Sequence, residues 1–263
     1  MEATIRTITG EKSGSITLPR TFEEPYRPDL IRKAFSVERA NKRQPYGPSK
    51  NAGMRHSVST WGKGRGVSRV QRLKQGRAAA ESPNNVGGRR CHPPVVEKDW
   101  SEKINKKEFR KAIRSAVSAT ILTDVVRKRG HRFEESIDLP LVIEGKFESL
   151  HQIIDESGED ISYTKKVKQT FESLGVGADL IRAKEGRHIR AGRGKLRGRK
   201  YRVPRSLLVV LSEFNGMEKA IKNLAGVEVT TTDTLTVEKL APGGDPGRLT
   251  IYTEQAIRKL EGM

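Results

Sequence analysis

A single cysteine, Cys91, occurs in 263 residues, which excludes an internal disulfide and fits a reducing compartment. No run approaches the roughly 18 apolar residues of a membrane-spanning helix, so no membrane partner is expected. The opening MEATIRTITGEKSGS lacks a basic stretch followed by an apolar one, so a secretory leader is not expected either. Neither C-x-x-C nor H-x-x-x-H spacing accompanies Cys91-His92, and no metal ligand is assigned. His56, His131, His151 and His188 read as ordinary surface or loop residues. A G-x-S-x-G elbow and a G-x-x-x-x-G-K-[ST] loop are both missing. The pairs Glu134-Glu135 and Glu159-Asp160 lie in polar stretches and read as solvated. No catalytic residue and no cofactor are therefore assigned.

Acid is missing from two particular places, and this is the most informative property of the composition. The net charge is +19, an excess that points to nucleic acid. From Lys42 to Lys98 there are 13 Lys/Arg against Glu81 and Glu97, a net of +11. From Arg182 to Arg205 there are 11 against Glu185, a net of +10. The remainder of the chain sums to −2. Two segments thus carry the whole excess on a nearly neutral body.

The neutral parts alternate between strand and helix patterns. Ala3 to Ile8 predicts a strand, with Ser15 to Leu18 as its hairpin partner across Gly14. Asp29 caps an expected helix that ends near Arg43. A capping box of Asn105 and Glu108 opens a helix with Phe109, Ala112, Ile113, Ala116, Val117, Thr120 and Ile121 on one face. Arg127, Lys128 and Arg129 suit the negative end of its dipole, and Gly130 stops it. Leu139 to Ile143 is of strand length, and a helix from Thr164 to Leu174 stops at Gly175. Ser206 to Leu211 is the continuous apolar run of a strand covered on both faces. Met217, Ile221 and Leu224 mark a short helix. Val227 to Thr232 and Leu249 to Thr253 mark two further strands, and Ile257 and Leu260 a closing helix. Such alternation predicts an α/β layered domain with a mainly parallel sheet.

The basic segments interrupt that body. Lys42 to Lys98 shows no periodicity and is far longer than an ordinary connection. Drawn out at roughly 3.3 Å per residue, two arms of about 25 residues reach some 80 Å. Its centre, STWGKGRGVSRVQRLKQGRAAA (Ser59 to Ala80), has six positive charges, four glycines and no acid; alone it should be disordered. GKGRG (Gly62 to Gly66) lacks the preceding buried strand and the glycine spacing of a dinucleotide site. APGGDPGRL (Ala241 to Leu249) precedes a strand and reads as a turn. Glycine alternating with Arg and Lys suits close approach to phosphates, and the guanidinium fork pairs bidentately with them. RNA is favoured over DNA, since no helix-turn-helix, zinc-finger or basic-zipper pattern is present.

Several long strings also resemble one family: STWGKGRG with the arm after it, CHPPVVEKDW, GRGKLRGRKYRVP, NLAGVEV and LAPGGDPGRLTIYTE. In this order and nearly end to end, they resemble the universal large-subunit ribosomal protein four family, archaeal type. The chain lacks the long C-terminal extension of eukaryotic relatives. The resemblance implies a three-layer α/β/α domain with a small mainly parallel sheet, formed by residues 1–44 and 100–263. It implies an extended loop over residues 45–99, with its tip near Trp61 to Arg77, which enters ribosomal RNA and helps line the nascent-peptide exit tunnel. RNA contacts would fall on Arg55, Lys63, Arg65, Arg69, Arg72, Lys74, Arg77, Arg89 and Arg90. In the basic segment at 182–205 they would fall on Arg187, Arg190, Arg193, Lys195, Arg197, Arg199, Lys200 and Arg202. Trp61 is a candidate to stack on a base, and Ala78 to Ala80 to pack. The implied partners are large-subunit ribosomal RNA, neighbouring ribosomal proteins and the nascent peptide, in the cytoplasm. Two alternatives are a free RNA-binding regulator of translation and an RNA-modifying enzyme. The enzyme needs a glycine-rich turn after the first strand, where TGEKSGS stands instead.

Overall fold

The structure, a computed structural model, describes residues 1–152 and 162–262; the Glu159-Asp160 pair lies outside them. The chain divides into two compact units, Met1–Arg39 with Lys103–Met263, and Ala40–Glu102. The first unit opens with β1 (Glu2–Arg6) and β2 (Lys12–Thr17), paired antiparallel. Gly14, expected at the turn, instead lies within β2 opposite Ile5. The reversal is made at Gly10, whose φ is +92° and where a Cβ would stand 2.4 Å from the Ser173 carbonyl oxygen. Only glycine meets both demands.

Helix α1 (Pro28–Asn41) begins on proline, which suits a first helical position. Asp29 does not cap it; the carboxylate lies in the first turn and pairs with Arg27 at 2.6 Å. Short strands β3 (Val58–Ser59) and β4 (Arg72–Leu73) belong to the second unit. The long helix expected up to Gly130 is two helices, α2 (Lys106–Ser118) and α3 (Thr123–Lys128). Thr120 accounts for the break: its buried hydroxyl bonds the Val117 carbonyl at 2.7 Å and meets the Tyr252 hydroxyl at 3.1 Å. Side-chain bonding to a nearby carbonyl competes with the helical ladder, and the distant tyrosine decides the contest. The capping box is also absent, since the Asn105 side chain makes no cap hydrogen bond.

After β5 (Leu141–Ile143) come α4 (Tyr163–Ser173) and α5 (Gly177–Glu185). The sequence pattern gave no sign of α5, which carries Arg182 and Lys184 of the second basic segment. Strands β6 (His188–Ile189) and β7 (Tyr201–Arg202) form a small antiparallel hairpin. Then follow β8 (Leu208–Leu211), α6 (Met217–Lys222), β9 (Glu228–Thr231), α7 (Val237–Leu240), β10 (Thr250–Thr253) and α8 (Glu254–Leu260). Leu224 lies beyond α6.

The main sheet has the order β2-β1-β5-β10-β8-β9, parallel except for β1 with β2. Alternate residues of its buried strands enter two cores. Leu141, Ile143, Val209, Leu211 and Ile251 pack with α4, α5 and α6; Val142, Leu208, Val210 and Tyr252 pack with α1, α2 and α8. This is the mainly parallel α/β body predicted from strands with no polar face.

One ion is sealed inside it. The Arg248 side chain is 0% exposed, and its fork is saturated. It donates to the carbonyls of Ser206 (2.8 Å), Lys239 (2.9 Å) and Leu207 (3.1 Å), and to Glu228 at 2.5 Å. It thus joins the starts of β8 and β10 to the end of α7. Arg248→Met should destabilise the protein by about 3–5 kcal/mol, because several buried acceptors lose their donor together. Urea unfolding followed by circular dichroism measures this, and a loss under about 1 kcal/mol would show the fork to be dispensable.

Candidate nucleic-acid interface

The second unit has charge without a core. Not one of the described residues from Ala40 to Glu102 is buried. What order it has comes from backbone pairing, cation–ring contacts and a few polar contacts such as the Lys50–Glu97 ion pair at 2.7 Å. Strand β4 pairs with β3 on one side and, through Leu73 N–H to Ala78 O (3.0 Å) and Ala80 N–H to Gln71 O (2.9 Å), with the next stretch on the other. Gly62, Gly64 and Gly66 have φ of +74°, +81° and +67°, and nothing lies within 4 Å of a Cβ built on any of them. Their demand is conformational, and the space beside them is open for an incoming group.

Trp61 lies half-buried, with the guanidinium carbons of Arg72 and Arg65 at 5.1 and 5.6 Å from its ring centroid. Trp100 is contacted in the same way, by Arg43 at 4.0 Å and Lys98 at 4.3 Å. Each such contact is worth about 0.5–1 kcal/mol at an exposed site, enough to bias a conformation but not to replace a core. Asn41 and Glu102 exchange hydrogen bonds, with Glu102 N–H donating to Asn41 Oδ1 at 2.9 Å. Among the predicted contacts, Arg55, Lys63, Arg65, Arg69, Lys74, Arg77 and Arg90 are exposed, while Arg72 and Arg89 are partly covered. Arg72 donates to the Arg77 carbonyl at 2.7 Å, so this residue also shapes the turn.

In the first unit, the segment at 182–205 has anchored ends and a free middle. Arg182 donates to Asp179 at 2.9 Å and to the Arg205 carbonyl at 2.8 Å, and Arg205 pairs with Glu228. Between them, Arg187, Arg193, Lys195, Arg197, Arg199, Lys200 and Arg202 are all exposed, and Arg190 is partly covered. Arg187 and Lys200 stand over the Tyr201 ring at 4.2 and 5.5 Å. A short hairpin thus holds a fan of cations on a stable base, as a phosphate-binding surface requires.

Residues 16–263 match the profile described as the ribosomal protein L4/L1 family. The chain belongs to this family. It is 48% identical over 261 residues to the large ribosomal subunit protein uL4 of Methanothrix thermoacetophila, covering 99% of both chains. It is 48% identical to that of Methanoregula boonei, over the full length of both, and 45% identical to that of Archaeoglobus fulgidus, over 99% of this chain and 98% of the other. Members of the L4 family are structural ribosomal proteins, not enzymes.

Doubly wound proteins bind ligands beyond the carboxyl ends of their strands. There, at the ends of β8 and β10, buried Glu148 accepts from Ser212 N–H at 2.7 Å, from Thr253 Oγ1 at 2.5 Å and from the Ser212 hydroxyl.

His131 corrects the sequence reading: it is 6% exposed, not a surface residue. Its Nδ1 contacts the buried Asp179 carboxylate at 3.1 Å, which also accepts from Arg132 N–H (3.0 Å) and Ser206 Oγ (2.6 Å). These partners lie 48 and 27 residues apart in sequence, so no local signal could have linked them. Burial lowers the His131 pKa from 6.5, against the opposing pull of Asp179. Burial would raise that of Asp179, but the hydrogen bonds from His131 and Arg182 outweigh it and hold the carboxyl well below its usual range. Both groups bind protons less readily folded than unfolded, so both stabilise the fold above their unfolded pKa values and lose that contribution as pH falls. Stability should therefore decline once pH drops below about 6.5. His131→Asn, which retains an N–H donor for Asp179, should flatten the decline between pH 7.5 and 5. Parallel stability–pH curves for variant and parent in thermal melts would remove His131 from the account.

Proposed function

We propose that the chain is a structural constituent of the large ribosomal subunit that binds its RNA through two basic segments and supports subunit assembly. The single observation that carries this reading is the second unit, where a net +11 between Lys42 and Lys98 coincides with no buried residue. Such a segment gains a fixed shape only where a polyanion neutralises it. The named relatives are large-subunit proteins, which supplies that polyanion.

In finer detail, residues 45–99 act as an extended loop that enters ribosomal RNA and lines part of the nascent-peptide exit tunnel. The two cores on alternate faces of the sheet support a three-layer α/β/α domain for the remainder. Trp61, between two arginines, offers a ring on which a base can stack once those cations turn to phosphates. Neighbouring ribosomal proteins and the nascent peptide complete the set of partners, in the cytoplasm.

The tagged protein should sediment with large subunits and withstand moderate salt washing; recovery only in the free fraction would favour the regulator reading instead. Replacing Arg65, Arg69 and Arg72 by Ala should lower the slope of log affinity against log salt by about 2, at roughly 0.7 per single-strand phosphate contact. The circular dichroism of the body should not change. An unaltered slope for ribosomal RNA fragments would count against the loop as an electrostatic anchor.

A further inference from the structure

Lys128 and Arg129 end helix α3, where they were expected only to complement its dipole. In the structure they also line a cavity of about 880 Å³ together with Arg182, Arg190, Arg202 and Arg205. Tyr26, Arg32 and the prolines Pro28, Pro204, Pro242 and Pro246 complete much of its wall. Asp245 is the one carboxylate among the described lining residues, and its contact with Arg32 is long, at 3.4 Å. The cavity lies beside the segments that lead into β8 and β10, at their amino ends. That is the opposite end of the sheet from Glu148.

The way these arginines are held matters more than their number. Arg129 donates to the Pro242 carbonyl at 2.6 Å and to that of Asp245; Arg190 donates to the Arg199 carbonyl at 3.2 Å. A peptide carbonyl fixes a guanidinium in place without cancelling its charge, and the remaining N–H donors stay available. Lys128 and Arg202 have no carboxylate partner among the described residues. The Arg129 pKa falls to about 10, first through burial and then through the charge of the nearby sealed Arg248, with Asp245 opposing and Arg182 adding to the fall. A volume at the upper end of the ~300–1,000 Å³ typical of small-ligand pockets exceeds the needs of a single phosphate. Tyr26, 40% exposed, adds an aromatic surface of the kind on which an unpaired base stacks.

We propose that this cavity is a separate RNA site on the globular unit, receiving a bent stretch of sugar–phosphate backbone against Arg32, Lys128, Arg129 and Arg202. The proposal rests on the RNA-binding reading above but adds contacts at Arg32, Lys128 and Arg129, which lie outside both basic segments. Arg32 and Lys128 lie outside both basic segments and are exposed, so removing them leaves the loop, the hairpin and the cores untouched.

The test uses the full chain as wild type, as Arg32→Ala/Lys128→Ala, and as Arg65→Ala/Arg69→Ala/Arg72→Ala, titrated with transcribed large-subunit RNA fragments over a range of salt. The cavity variant should melt like wild type, bind more weakly, and lose about 1.4 from its log–log salt slope, at roughly 0.7 for each phosphate contact removed. Combined with the loop variant, the two affinity losses should multiply, as expected of sites that do not touch. Wild-type affinity and slope in the cavity variant, with a weakened loop variant, would overturn the cavity site and leave the RNA reading intact. No specific binding by wild type would instead overturn the RNA reading itself. Adenosine and guanosine triphosphates serve as competing probes. Micromolar binding of either, lost in the cavity variant, would reassign the cavity to a free nucleotide and overturn the RNA-backbone proposal.

Discussion

Repulsion between like charges that no core can offset governs this molecule. Between Lys42 and Lys98 the chain holds a net +11, and nothing in Ala40–Glu102 is buried. Hydrophobic burial, at about 25 cal/mol per Å² of apolar area, contributes little where apolar side chains such as Trp61, Val70 and Leu73 are only partly covered. Two short strand pairings, two tryptophans under cations and a few polar contacts provide the internal order. None of these matches the entropy of fixing a backbone, about 1–2 kcal/mol per residue. Under the proposed function, a dense array of phosphates supplies the missing free energy and also removes the repulsion.

The body obeys the opposite rule. Its sheet and two cores are nearly neutral, and each buried ion is saturated from within: Arg248 by three carbonyls and Glu228, Asp179 by His131, Arg132, Arg182 and Ser206, Glu148 by Ser212 and Thr253. Saturation is what makes such burial tolerable, since an unpaired internal charge costs several kcal/mol. It also rigidifies the base of the second basic segment. Asp179 fixes Arg182 at one end and Glu228 fixes Arg205 at the other, so the cations between them project from an anchored frame.

Much of this was legible in advance where the cause is local. Ser206 to Leu211 carries no polar face, and β8 is indeed buried on both sides. Charge segregation marked the second unit without reference to structure. Three features escaped, each with a distant cause. Thr120 breaks the predicted helix because Tyr252 lies beside it. Helix α5 was obscured because GADLIRAKE runs directly into the basic stretch, whose composition hides a helix that packs on one face only. The burial of His131, a loop residue, escaped because the carboxylate that it meets lies on another element.

The arginines show most clearly where composition stops being informative. Arg248, Arg129 and Arg202 are the same letter in the sequence, yet they differ in what satisfies their N–H groups. Arg248 has a carboxylate and carbonyls on every side and is sealed; its charge belongs to the fold. Arg202 is exposed and has no carboxylate partner among the described residues. Arg129 is intermediate, held by carbonyls that orient it, with the Asp245 carboxylate offsetting only part of its charge. Counting cations located the segments, but only the identity of each acceptor separates an arginine that builds the protein from one left open to a partner. That distinction extends the candidate interface beyond the two glycine-rich stretches, to helix α3 and the turn at Pro242.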